Sequence, residues 1–444
     1  MLLGPIPAAA GELSRLTRRF LRQVPAPTLE EAMLPLLLIT LVAAAPDAPP
    51  PLELEALLAE VSTRAPQLQA QQAAAEVARS RIGVEGAWED PTVEVMAESI
   101  PLRGGEDAPI PMLTWRFTQP LNVFGRRRLA KEAARAQFQA EQARTRRVGW
   151  DVRTQAVEVF LELWMNQEMR TLLDRQIATL ERMKDAAKAR YVAGMMMGHH
   201  DFLRAQAELA TMQAEKASLD SEREAMAAML NALRGRPLEE PVGEVMLPVR
   251  RPLPDVEGLL ARAEERPELE AMRWMRAEME SRRTLAQRMY LPMPMVSGFY
   301  EQNLKGMPDS VGGIVGFTVP LWWFDRQRNE VRMAEAMVQR AQRELDAMEV
   351  MTRADLRMAW SRARAADLTL QALEETALPR MRETIAASES AYVSGSADFL
   401  TLLEATMARQ RLEAERLQAV VRREAARYEL ERLLGASVAP EEKR

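Results

Sequence analysis

Cysteine is missing from all 444 residues, which excludes disulfides, thiolate metal sites and a thiol nucleophile. Histidine is almost missing too. The only two are neighbours, His199 and His200, so a histidine metal cage or a His-centred proton relay is all but ruled out. Aromatics are 5% of the chain, there are 20 glycines, and 59 basic residues against 64 acidic ones leave a net charge of -5. That balance offers a nucleic acid nothing to hold. No stretch reaches the roughly 20 consecutive apolar residues that a membrane-spanning helix needs. Nucleophile–base sets, phosphate-binding glycine loops and cofactor motifs are all lacking, so an enzyme is disfavoured and no cofactor is expected. What is plentiful is Ala, Arg, Glu, Leu and Met, the residues of long helices.

The N-terminal region carries Arg15, Arg18, Arg19 and Arg22, then an apolar run over 34–45 and a Pro-rich stretch over 46–51. Basic residues, a short apolar core and small residues at its end are the parts of a secretory leader. The competing reading is a disordered, Pro-flanked lead-in. The long stretch ahead of the apolar run fits a start at Met33.

Further along, the sequence repeats itself. Phe117, Pro120, Leu121, Phe124 and Arg126 recur as Phe317, Pro320, Leu321, Phe324 and Arg326, an offset of 317 − 117 = 200. Leu230, Leu233 and Gly235 recur as Leu430, Leu433 and Gly435 at the same offset. Tyr191 and Gly194 recur as Tyr392 and Gly395, one residue out of step, and Leu203 and Ala205 as Leu403 and Ala405. Four matches in order mean two copies of one unit. The expected organisation is a leader over 1–45, a first copy over 46–236, a Pro-rich linker over 237–254, a second copy over 255–436 and a charged tail over 437–444.

Each copy reads alike. A helix over 54–87 or 256–289 restarts at Pro66 or Pro267, where proline suits a first helical turn. Two extended segments follow, over 92–100 and 113–120 in one copy and 295–303 and 311–321 in the other. Val93, Val95 and Ala97 oppose Thr92, Glu94 and Glu98; Leu113, Trp115 and Phe117 oppose Thr114, Arg116 and Thr118. Val311, Val315, Phe317 and Val319 oppose Gly312, Gly316 and Thr318, with Ile314 the exception. Period two with one apolar face fits a half-buried strand. It equally fits a strand of a transmembrane barrel, apolar to lipid and polar to a wet lumen. Last come long helices, over 125–190 and 325–391, about 100 Å each at 1.5 Å per residue. Val152, Val159, Leu173, Leu180 and Ala187 fall on one heptad series, broken at Asn166. Met212, Leu219, Met226 and Leu233, and Leu412, Ala419, Ala426 and Leu433, continue the pattern on the returning helices. Sustained heptads mean coiled-coil packing.

Four strands per chain cannot close a barrel, for which known single chains use eight or more. An open sheet edge has no water to bond in lipid. If the hairpins cross a membrane, several chains must share one barrel.

These parts, in this order, resemble the TolC-like outer-membrane efflux channel proteins, the outer membrane factors of tripartite efflux systems. The resemblance covers nearly all of 52–436 and rests on the twofold repeat, the Phe-x-x-Pro-Leu junctions and the Tyr-x-x-Gly turns followed by Leu-x-Ala. It implies a mainly α fold with a transmembrane β portion, a TolC-like trimeric α/β barrel. Four strands per chain make a twelve-stranded barrel, and long coiled-coil helices make a tunnel. The implied location is the bacterial outer membrane, reaching into the periplasm. The implied partners are two further copies, outer-membrane lipid, a periplasmic membrane-fusion adaptor and an inner-membrane pump, such as one of the resistance-nodulation-division type.

The resemblance also distributes roles. Arg190, Tyr191, Gly194, Asp201, Arg204, Tyr392, Gly395, Asp398 and Glu404 fall at the periplasmic tip, where the family narrows its aperture. Arg204 stands where the family often has an acid, which favours an Arg204–Glu404 pairing over an all-acidic ring; ordinary solvated helix charges are the alternative. Phe124, Trp322, Trp323 and Phe324 suit an aromatic belt at the membrane interface, or simple packing of hairpin on helix. Met195, Met196, Met197, His199 and His200 offer soft thioethers and imidazoles suited to Cu(I) or Ag(I), and some relatives serve metal exporters. Against a metal role, methionine is common throughout, with 28 in all, and adjacent helical histidines point about 100° apart. Two other readings stay open at this point, a periplasmic adaptor and a coiled-coil scaffold without a pore. Both would remain soluble without detergent.

Overall fold

A computed structural model describes residues 50–100, 111–192, 197–304, 307–394 and 396–438; the expected leader and most of the tail lie outside them. In chain order the first elements are β1 (Leu52–Glu53), α1 (Leu54–Arg64), α2 (Pro66–Glu85), β2 (Thr92–Glu98) and β3 (Met112–Pro120). The chain goes on with α3 (Arg126–Val192), α4 (Met197–Arg234), β4 (Val245–Met246), α5 (Val256–Ala261) and α6 (Pro267–Arg288). It ends with β5 (Met293–Asn303), β6 (Ser310–Thr318), α7 (Arg326–Ala372), α8 (Leu378–Val393) and α9 (Phe399–Leu434).

Local chemistry sets the breaks. A residue before proline is driven out of the helical region. Ala65 (φ -56°, ψ 124°) and Arg266 (φ -56°, ψ 128°) therefore end one helix and let Pro66 and Pro267 start the next. The two Leu-x-x-Leu-x-Gly sequences close α4 and α9, with Gly235 at φ +67° and Gly435 at φ +65°. These glycines also meet the proline restarts. A Cβ on Gly235 would lie 3.0 Å from the Arg64 carbonyl oxygen, and one on Gly435 would overlap the Pro267 ring. The two motifs, more than 160 residues apart in sequence, are halves of one contact in each copy.

The long helix α3 holds 67 residues, about 100 Å at 1.5 Å per residue. Val152, Leu173, Leu180 and Ala187 of its heptad series are buried. At the break in that series Asn166 is buried as well, and its Nδ2 donates to the Leu219 carbonyl of α4 at 2.9 Å. One polar residue at a core position fixes helix register. The first copy's core joins Leu57 and Val61 to Val152, Phe160 and Leu230. A second cluster brings Leu173, Leu180 and Ala205 against Tyr392, Phe399 and Leu403.

The second long helix does not run unbroken, as its pattern led one to expect. It opens into a π-turn at Leu373–Ala377 before α8. Pro379, in the first turn of α8, is the physical reason. Its ring cannot donate to the carbonyl four residues earlier and crowds that turn, so the helix must widen there. Thr179, the residue 200 earlier, places no such demand, and α3 continues. The linker is also more ordered than its prolines suggest. Within it Val245 and Met246 pair in parallel with Leu52 and Glu53, and Val245 is buried in the first core.

The four strands form one antiparallel sheet in the order β2-β3-β5-β6. Thr92 faces Thr118 in the first hairpin, Met293 faces Thr318 in the second, and Phe117 faces Gly298 where the hairpins join. The first strand stops at Glu98, short of the expected Ile100, because Ser99 turns to φ 57°. We expect Gly435→Ala to lower the melting temperature of the helical circular-dichroism signal more than Gly235→Ala does. The left-handed backbone alone costs alanine about 1–2 kcal/mol, and only at Gly435 must a rigid ring also move.

Candidate functional site: the sheet and the helical tip

Register decides which side chains share a face. Val93, Val95, Trp115, Phe117, Val296, Tyr300, Val311, Val315 and Phe317 all stand on one side of the sheet, each between 40% and 80% exposed. No helix covers them. The opposite side carries the polar residues, although Met96, Phe299 and Ile314 also lie on it. Arg116 pairs with Glu94 across the hairpin at 3.6 Å, and the Thr118 and Ser297 hydroxyls hydrogen-bond at 2.8 Å. An apolar wall with a polar reverse is the pattern of a sheet with lipid on one side and water on the other. Among the described residues, the first strand of this sheet and the last each leave one edge unpaired within the chain.

Below the strands the chain turns sharply into its helices, with Phe124 at φ 58° and Gly125 at φ 75°. Phe124, Trp322, Trp323 and Phe324 are about half exposed or more, so within one chain they are not packing between hairpin and helix. Both tryptophans meet Phe324 edge-on, at 6.2 and 6.0 Å between centroids. Arg126, in contrast, is buried and anchors the junction. Its Nη2 donates to the Arg288 carbonyl at 3.1 Å and the Leu291 carbonyl at 2.5 Å, binding the first copy's long helix to the end of α6.

At the far end of the helices, α3, α4, α8 and α9 meet. The Arg190 guanidinium lies 4.0 Å over the ring of Tyr392 and donates to that residue's carbonyl at 3.1 Å. Tyr392 is buried edge-on against Phe399, its Oη has no hydrogen-bond partner among the described residues, and burial pushes its phenol pKa up. Tyr191, its counterpart in the first copy, is exposed and stacks on His199 with centroids 4.7 Å apart. The repeated tyrosines thus have different surroundings. Asp398 is a helix cap, accepting from the Thr401 amide at 2.9 Å and hydroxyl at 2.6 Å. These bonds hold its carboxyl below the usual range. Asp201 goes the other way. Burial, reinforced by the charge of Asp398 and opposed by His200, Arg190 and Arg204, raises its pKa.

Arg204 and Glu404 are both exposed, and among the described residues no ion pair joins them within the chain. Gly194, Gly395, Met195 and Met196 lie outside the described residues; Met197 opens α4, and its side chain is not described. The described residues contain no group of three or more His, Asp or Glu able to hold a metal ion. His199 is engaged in its aromatic stack.

The outer membrane efflux protein model matches residues 57–236 and 261–436, once per copy. The chain belongs to the outer membrane efflux protein family. It is an efflux channel of the bacterial outer membrane that extends into the periplasm. Among curated relatives it is similar to the cobalt-zinc-cadmium resistance protein CzcC of Cupriavidus metallidurans, 26% identical over 66% of this chain and 69% of the relative. It is likewise similar to the nickel-cobalt-cadmium resistance protein NccC of Alcaligenes xylosoxydans xylosoxydans, 23% identical over 73% and 72%. In fold it is similar to the outer membrane protein VceC of Vibrio cholerae, with a TM-score of 0.73 and 18% identity over 87% of this chain and 97% of that one.

Sequence reasoning missed one charged cluster of this efflux protein. Arg423, Glu424, Arg427 and Glu431 of α9 are all buried. Arg427 pairs with Glu424 at 3.2 Å and Glu431 at 3.3 Å. Arg423 binds Asp367 of α7 at 2.7 Å and donates to the Arg251 carbonyl of the linker. Burial opposes ionisation of Asp367, but hydrogen bonds from Arg250 and Arg423 outweigh it and lower its pKa. The cluster ties the linker to the second copy's helices. Its only signal in the sequence was five charges within the nine residues 423–431 of a heptad helix.

A raised folded pKa at Asp201 means that the ionised carboxylate costs stability above the ordinary carboxylate range, a cost that vanishes once pH falls below that range. Asp201→Asn is therefore expected to raise the melting temperature slightly at pH 7, with the difference closing near pH 4. Equal melting at both pH values would contradict that reading of the tip.

Proposed function

We propose that three copies assemble into one duct. The observation that carries this reading is the four-stranded sheet with an uncovered apolar face and two open edges. Backbone groups on an open edge have no partner in hydrocarbon, and three such sheets supply twelve strands, enough to close a barrel. The exposed aromatics Phe124, Trp322, Trp323 and Phe324 then form the belt at the periplasmic interface, and the helices continue the barrel as a tunnel about 100 Å long.

The tip is the gate. Arg190 on Tyr392 latches the first copy's hairpin to the second's, and Arg204 and Glu404, which form no ion pair among the described residues, meet across chains and help hold the aperture shut. Tyr191 and the helix starts around Asp201 and Asp398 face a periplasmic adaptor, which couples the duct to an inner-membrane pump. No chemistry is done in the duct; cargo passes down it.

The cargo we favour is divalent transition-metal ions, which fits the resistance named in CzcC and NccC. His199 and His200 would serve such ions as weak transit ligands rather than as a storage site. A strain lacking the gene should become several-fold more sensitive to cobalt, zinc, cadmium or nickel than to common antibiotics. In planar bilayers, Arg190→Ala should raise the single-channel conductance of the purified protein. Silent bilayers with both proteins would contradict the duct, and antibiotic sensitivity alone would contradict the metal cargo.

A further inference from the structure

The repeated arginines of the two junctions line one cleft. It has a volume of about 490 Å³ and lies where β6 gives way to α7. Arg126 lines it from the first copy, Arg326, Gln327 and Glu330 from the start of α7, and Leu321 and Trp322 from the turn between strand and helix.

Its polar groups do not satisfy one another. Arg126 is only 8% exposed. Its Nη2 bonds two neutral carbonyls, its Nε has no hydrogen-bond partner, and among the described residues it forms no ion pair. Glu89 acts on it only as a charge at longer range. A cation enclosed without a counter-ion is costly. The Gln327 carboxamide oxygen is enclosed as well and finds no donor among the described residues. Arg326, about three-quarters exposed, pairs with Glu330 at 3.0 Å. Two guanidiniums and one carboxylate therefore leave the lining with one positive charge in excess.

The helix ends add to that charge. Both α3 and α7 begin with arginine and have no acid in the first turn, although the positive end of a helix favours anions. Asp325 precedes α7, but its side chain caps none of the helix amides. Beside the charges stand Leu321 and Trp322, each 71% exposed. A missing negative charge, an unused acceptor and an apolar rim together describe a ligand with a phosphate, a hydroxyl and a hydrocarbon tail. A small inorganic anion would leave the rim bare.

Resting on the reading of the sheet as membrane-spanning, we propose that this cleft holds the headgroup of an anionic phospholipid of the phosphatidylglycerol type. The phosphate lies between the guanidiniums of Arg126 and Arg326, where its single charge balances the excess. A headgroup hydroxyl donates to the Gln327 carboxamide oxygen. The acyl chains leave across Leu321 and Trp322, at the depth of the aromatic belt. Each chain holds one such lipid.

Native mass spectrometry tests this on the full chain released in mild detergent, with equal amounts of phosphatidylglycerol and phosphatidylcholine added. Trimers should retain up to three phosphatidylglycerol molecules and several-fold less phosphatidylcholine, which lacks both the net charge and the hydroxyl. Arg326→Glu and Gln327→Leu should each cut phosphatidylglycerol retention several-fold at unchanged helix content. Should Arg326→Glu fail to assemble, Gln327→Leu carries the comparison alone. Inorganic phosphate in millimolar excess should not displace the lipid. Trimers that retain the two lipids equally, that lose none of the lipid in the assembled variants, or that give it up to inorganic phosphate would overturn the lipid site and leave the duct standing. Single chains in place of trimers would overturn both.

Discussion

Every peptide group in hydrocarbon has to find its hydrogen-bond partner within protein, and this constraint organises the molecule. A chain that carries only four strands, with an apolar wall on one side, leaves two edges that water cannot serve once the wall meets lipid. In the assembly proposed above, the remedy lies outside the chain. The rest follows from holding that sheet in place: turns at Phe124 and Gly125 redirect the chain, Arg126 fastens the junction, and the 67 residues of α3 run about 100 Å away from the sheet.

Duplication gives one chain two of everything, and the copies have diverged where it matters. Pro379 opens a π-turn in the second copy's long helix, while the first copy's helix runs straight to the tip. Tyr392 is buried under Arg190, and Tyr191 is exposed beside His199. Arg126 is buried within its chain and Arg326 is bare.

Much of this was legible in the sequence because it depends on local periodicity and on repetition. The strands, their faces, the two junctions, the proline restarts and the heptad seam all come from side-chain spacing, and spacing survives in a linear string. What was hidden depends on meetings between distant segments. Nothing near Val245 announces that it will pair with Leu52, and the buried charges of Arg423 and Arg427 look like any helix surface until α7 and the linker close over them. The π-turn could have been foreseen, since Pro379 sits inside the second long helix pattern. Arg126 stood in a repeated motif, but its service to carbonyls more than 160 residues away could not be seen. At the end of the helices, spacing alone could not tell that Asp398 caps a helix while Asp201 carries the raised pKa.

The central claim is that the sheet is completed by other copies of the same chain. Native mass spectrometry of the detergent-released protein tests it most directly. The account predicts a particle of three chains that holds together after the detergent is stripped in the gas phase. A stable single chain, with its sheet edges unpaired, would contradict it.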